Sequence, residues 1–136
     1  MHMNDVKKIF RSLSYAFKGL RHAYSTDKSF HMEVNYGLPA YLLVVWYLYP
    51  LLPWEIIAIT FSYLLILLVE LVNTAFEKML DRAYPERHPL TAASKDIASA
   101  SVLVAFVFAI VVVFVLVSTR LMVPEINGVL IEHSFV

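Results

Sequence analysis

The stretch IIAITFSYLLILLVELVNTAFEKML, residues 56–80, decides the fold. At about 1.5 Å of rise per residue, one helix of this length crosses ~30 Å of hydrocarbon. Yet the stretch carries Glu70, Asn73, Thr74 and Glu77, and Asp81 follows it directly. At about 100° per residue these positions share one narrow stripe of the helix. An ionisable side chain near the centre of a bilayer costs from ~2.5 kcal/mol upward, so a row of them needs a purpose.

Working outward, residues 97–122 form a second apolar run of spanning length, and residues 34–52 a third, shorter and richer in aromatics. Only 16% of the 136 residues are charged, against about 25% in an ordinary soluble domain, and mean hydropathy is +0.67. Three transmembrane helices are therefore predicted. Such a bundle has little interior, so burying Glu70 and its neighbours requires further copies of the chain. Residues 4–25 repeat Val6, Ile9, Phe10, Leu13, Phe17, Leu20 and Tyr24 at helical spacing, with Lys7, Lys8, Arg11, Lys18 and Arg21 mostly off that face. This is the pattern of an amphipathic helix lying on an anionic membrane surface; packing on a soluble partner is the alternative. The expected fold class is an all-α integral membrane protein, with three transmembrane helices and an N-terminal amphipathic surface helix in a single domain spanning 1–136.

A net charge of zero hides an asymmetry. Lys7, Lys8, Arg11, Lys18, Arg21 and Lys28 precede the first span, and Arg82, Arg87 and Lys95 join the second to the third. The connection from Tyr49 to Glu55 has no Lys or Arg, nor does the tail after Arg120. The positive-inside rule makes the N-terminus and the second connection cytoplasmic, which puts Asp81 to Asp96 on the side where ATP is found. Cysteine is absent, which excludes thiolate chemistry. The first 28 residues are too charged for the apolar core of a signal peptide.

Ser25 to Glu33 reads as a polar hinge, and Tyr49 to Trp54 as a tight external turn with Pro53 opening the next helix. Asp81 to Asp96 reads as a loop punctuated by Pro85 and Pro89, with Thr91 the expected N-cap of the third span. Ala92, Ala93, Ala98, Ser99, Ala100 and Ser101 are small enough for close helix approach. Residues 123–136 form a tail with an Asn127-Gly128 turn signal and no assigned role.

The chemistry starts from the stripe. Glu70 and Glu77 are separated by about 10.5 Å along a helix axis, so one lies deep and the other near the cytoplasmic surface. A deep carboxylate can act as base toward a hydroxyl at headgroup level, and a shallow one can hold a cation. A proton or ion relay through the bundle uses the same residue types, and a purely structural polar network is the plainest reading. Glu86, Arg87, His88, Lys95 and Asp96 flank the stripe with groups suited to phosphate and magnesium, although such loop charges are commonly just solvated. Gly19, Gly37 and Gly128 are the only glycines, so no common nucleotide-binding loop exists. No basic and aromatic surface suited to nucleic acid is present.

The run Glu70-Leu71-Val72-Asn73-Thr74-Ala75-Phe76-Glu77-Lys78-Met79-Leu80-Asp81 closely resembles the signature of the small prokaryotic lipid kinases, the diacylglycerol and undecaprenol kinases. His88 with Ala93-Ser94-Lys95-Asp96-Ile97-Ala98-Ser99-Ala100 resembles that family's second block, and Phe17-Lys18-Gly19-Leu20-Arg21 its first. The resemblance covers about residues 5 to 122.

It implies a homotrimer in a bacterial inner membrane, with active sites between subunits on the cytoplasmic side. It implies that Glu70 is the general base, that Asn73 orients the catalytic groups, and that Glu77 and Asp27 hold the magnesium of Mg-ATP. Lys8, Tyr15, Glu77, Glu86, Arg87, His88, Lys95 and Asp96 would contact the nucleotide. Arg21, Glu33, Glu70 and Ser99 would contact the lipid. Asp81 is matched without a separable role. The family's hinge acid is usually Glu, so the shorter Asp27 requires a closer helix or a bridging water, and Glu33 is the other candidate ligand. Phe30-His31-Met32-Glu33 looks more like the diacylglycerol branch than the undecaprenol branch.

Overall fold

Two long helices, α4 (Pro53–Ala83) and α5 (Pro89–Met122), form an antiparallel pair in the computed structural model, which describes residues 3–86 and 88–122. Each is long and apolar enough to cross a membrane. The rest of the chain runs through α1 (Met3–Thr26), α2 (Lys28–Met32), a π-helical turn (Glu33–Gly37) and α3 (Leu38–Leu48). Among the described residues there is no β-strand. Arg87 and the 123–136 tail, with its Asn127-Gly128 signal, lie outside the described residues.

Charge pairs mark the two ends of the antiparallel pair. At one end Arg120 Nη2 donates to Glu55 Oε2 at 2.7 Å and to the Pro50 carbonyl at 2.8 Å. Glu55 is buried, and its Oε2 also accepts the Leu52 N–H at 2.7 Å, which satisfies one of the orphan donors at the start of α4. Pro53 occupies the first turn, where a missing N–H costs nothing. At the other end Lys95 pairs with Asp81.

The second connection is much shorter than expected. The Asp81 to Asp96 loop contracts to residues 84–88, so Asp81, Lys95 and Asp96 all stand on helices. Thr91 is not the N-cap of α5: the helix opens at Pro89, and His88 caps it. The His88 Nδ1 accepts the Leu90 N–H at 3.2 Å, and its carbonyl accepts the Ala92 N–H at 3.1 Å. An imidazole nitrogen does here what a hydroxyl was expected to do.

The Ser25 to Glu33 hinge contracts still further, to Asp27. This residue is extended (φ −108°, ψ 119°), and its Oδ1 accepts the Phe30 N–H at 2.8 Å, capping α2. The 34–52 segment is divided between the π-turn and α3, and the helix stops at Leu48 because Tyr49 precedes Pro50 and is held extended. Pro39 has no N–H and crowds the carbonyl of Asn35, a strain that a wider turn relieves. Tyr63 of α4 donates its hydroxyl to the Glu33 carbonyl at 3.2 Å and stacks on Tyr41 with ring centroids 5.5 Å apart. A Cβ on Gly37 would stand 3.0 Å from Tyr63 Cε2, so any larger residue would press on the Tyr63 ring.

The apolar core of Leu48, Leu51, Ile59 and Leu116, with Tyr41, Val44, Val45, Val112 and Val117 against it, sits at the Glu55–Arg120 end. Ile9, Phe10, Leu13, Phe17 and Leu20 of α1, and most of α5's apolar surface, remain uncovered by the chain itself. The other end of the α4–α5 pair is left for polar side chains.

Candidate active site

At that end a cleft of about 360 Å³ is lined by Asp27, Ser29, Glu33, Glu70, Asn73, Glu77, Ser99, Val102, Leu103 and Phe106. Four elements converge. The stripe on α4 delivers Glu70, Asn73 and Glu77, the break before α2 delivers Asp27, the π-turn delivers Glu33, and α5 delivers Ser99 with an apolar wall. One face of the cleft therefore carries carboxylates and the other hydrocarbon, which suits an amphiphilic molecule.

Glu70 and Asn73 are buried, at 3% and 8% exposure, and Glu77 is half-buried. Glu33 Oε2 and Asn73 Oδ1 in the cleft, and Thr74 Oγ1 outside its lining, are buried without a hydrogen-bond partner. Each such atom costs ~1–3 kcal/mol, so the cleft is built to receive donors or a cation. Burial pushes the Glu33 carboxyl up to about 7, with the Glu70 and Asp27 carboxylates adding to the effect.

Among the described residues no group of three His, Cys, Asp or Glu stands close enough to hold a metal unaided. The oxygen donors of Asp27 and Glu77 nevertheless fit magnesium, which commonly binds through one or two carboxylates and takes its other ligands from water and substrate phosphates.

Of the expected nucleotide contacts only Glu77 lines this cleft, and the other described ones are spread over other surfaces. Glu86 and His88 line a groove of about 570 Å³ with Leu80, Ala83, Tyr84, Pro85, Leu90, Thr91 and Ser94. Asp81 and Lys95 line its continuation, of about 470 Å³. Asp96 is exposed and lines neither, and Arg87 is not described. Lys8, Tyr15 and Arg21 lie exposed on α1 and do not line the carboxylate cleft; the Lys18 ammonium stands 5.6 Å from the Tyr15 ring.

Several groups escaped the sequence reading. Ser29, Val102, Leu103 and Phe106 line the cleft, yet nothing in their spacing marks them. Lys78 Nζ donates to Thr26 Oγ1 at 2.7 Å and stands 3.5 Å from His22 Nε2, tying α1 to α4. Its place beside Glu77 was the only available signal.

Residues 14–117 match the family of prokaryotic diacylglycerol kinases. The chain belongs to this family. It is 32% identical over 109 residues to the diacylglycerol kinase of Escherichia coli K12, covering 76% of this chain and 84% of that protein. It is 31% identical over 102 residues to that of Helicobacter pylori 26695, covering 75% and 78%. With that of Haemophilus influenzae it shares 34% identity over 97 residues, covering 71% and 80%. Membership of the diacylglycerol kinase family makes the protein a lipid kinase with membrane helices. The matched segment contains every residue of the carboxylate cleft, whereas Lys8 and Arg120 fall outside it.

Proposed function

We propose that the protein transfers the γ-phosphoryl group of Mg-ATP to the primary hydroxyl of diacylglycerol, giving phosphatidic acid. The observation that carries this is the cleft, where a buried and a half-buried carboxylate of one helix meet Asp27 opposite an apolar wall. Phosphoryl transfer depends on positioning and charge neutralisation more than on covalent help. Glu70 takes the hydroxyl proton. The lipid oxygen bonds to Pγ while the bond from Pγ to the β,γ-bridging oxygen breaks, ADP leaves with that electron pair, and Glu70 returns its proton to solvent. Asn73 orients the hydroxyl and Glu70. Magnesium held by Glu77 and Asp27 would neutralise charge on the phosphoryl oxygens; Glu33 is the nearest substitute ligand. Arg21, Glu33 and Ser99 bind the lipid headgroup. Lys8, Tyr15, Glu86, Arg87, His88, Lys95 and Asp96 bind the nucleotide.

Because Lys8 and Tyr15 lie on α1 while Glu86, His88 and Lys95 line the grooves at the second connection, the reading includes a homotrimer in which a neighbouring copy completes each cleft, in a bacterial inner membrane with the cleft on the cytoplasmic side. An ion pathway has less support. The polar stripe ends at Glu70, and beyond it α4 buries Ile66, Ser62 and Ile59 before the next buried ionisable group, Glu55, which is paired with Arg120, so the row is interrupted within the pair. Incubation of the purified protein with labelled ATP and either lipid decides the acceptor. Label is expected in phosphatidic acid; faster labelling of undecaprenol would transfer the assignment to that alcohol, and no labelling of any lipid with ion flux in sealed vesicles would end it.

A further inference from the structure

We propose that Lys78 is a positioning residue that holds Asp27 at the reach its short side chain needs, an inference that rests on the magnesium role proposed for Asp27 and Glu77. Lys78 follows Glu77 on α4, and Thr26 precedes Asp27 at the end of α1. The Lys78 ammonium donates to the Thr26 hydroxyl at 2.7 Å, so a direct bond joins the immediate neighbours of the two carboxylates. The Thr26 hydroxyl is itself fixed, since it donates to the His22 carbonyl at 2.8 Å and thereby presents its lone pair to Lys78. The last turn of α1 contains no basic residue of its own, and Lys78 supplies a cation to that carbonyl-rich end from another helix. Backbone bonding carries the restraint one residue on: the Asp27 N–H donates to the Ala23 carbonyl at 2.8 Å, while Asp27 Oδ1 caps α2. The junction between α1 and α2 is thus drawn against α4 at the level of Glu77. An aspartate is one methylene shorter than a glutamate, and such a tether compensates for that reach.

The sign of the effect separates positioning from simple charge. A cation beside Glu77 repels a metal ion, so deleting it for electrostatic reasons alone would tighten metal binding. Deleting a tether loosens it. The test is Mn²⁺ affinity, read by electron paramagnetic resonance on the full chain in lipid nanodiscs with a non-hydrolysable ATP analogue. Lys78→Ala and Thr26→Val are each expected to weaken binding about five-fold, as for one exposed charged hydrogen bond. The double variant should be no weaker than either single one, and Thr26→Ser, which keeps the hydroxyl, should match the parent. Unchanged or tighter binding in Lys78→Ala would overturn the inference alone. Were the parent chain to bind no Mn²⁺ in this assay, or Glu77→Gln to bind it as the parent does, the metal assignment would fall and the inference with it.

Discussion

At the scale of single residues, the cleft separates carboxylates by environment. Glu70 is buried and Glu77 half-exposed on the same helix face, so the two can take different tasks. Glu70→Gln is expected to lower lipid phosphorylation by ~10²–10⁴-fold, the range of a lost general base, while nucleotide binding and assembly persist. A near-normal rate in that variant would remove Glu70 from the base role. Glu33 gives a pH signature. Its carboxyl is held up to about 7 when folded, so the unfolded chain releases that proton first and stability falls as pH rises. In magnesium-free buffer the melting temperature should decrease from about pH 5 to about pH 8, and Glu33→Gln should remove most of that slope. The stripe was legible because helical periodicity alone puts Glu70, Asn73 and Glu77 on one face. Ser29, Phe106 and Lys78 were not, because their roles come from contacts between elements that no spacing within one helix encodes.

Among the elements, the long helices were read almost correctly and their junctions were not. The apolar run 56–80 lies within α4 and 97–122 within α5, since apolar length is a strong signal. The hinge and the second connection contracted because polar residues such as Asp81 and Lys95 extend a helix when a partner across the pair offers a charge. The π-turn left no sequence mark except Pro39, and its cause is partly remote, in the Tyr63 hydroxyl and ring on α4. Gly37→Ala should therefore destabilise the protein by about 1–3 kcal/mol through overpacking against Tyr63. In a Tyr63→Leu background the same substitution should cost much less, which a double-mutant cycle of melting curves measures.

For the whole molecule, the apolar core and the carboxylate cleft occupy opposite ends of the α4–α5 pair. Leu116, at 2% exposure, belongs to the core end. Leu116→Ala should cost about 2–5 kcal/mol of stability, while kcat and the lipid KM measured well below the melting transition stay near parental values. A large change in either constant would show that the two ends are coupled. With the ends independent, depth along the helix axis sorts the consequences of mutation. Near the Glu55–Arg120 pair, variation is screened by whether the chain still folds. Near Glu70, a chain that folds normally can still change which alcohol it accepts. New acceptor specificities can then arise at the cleft without first dismantling the core that keeps the helices together.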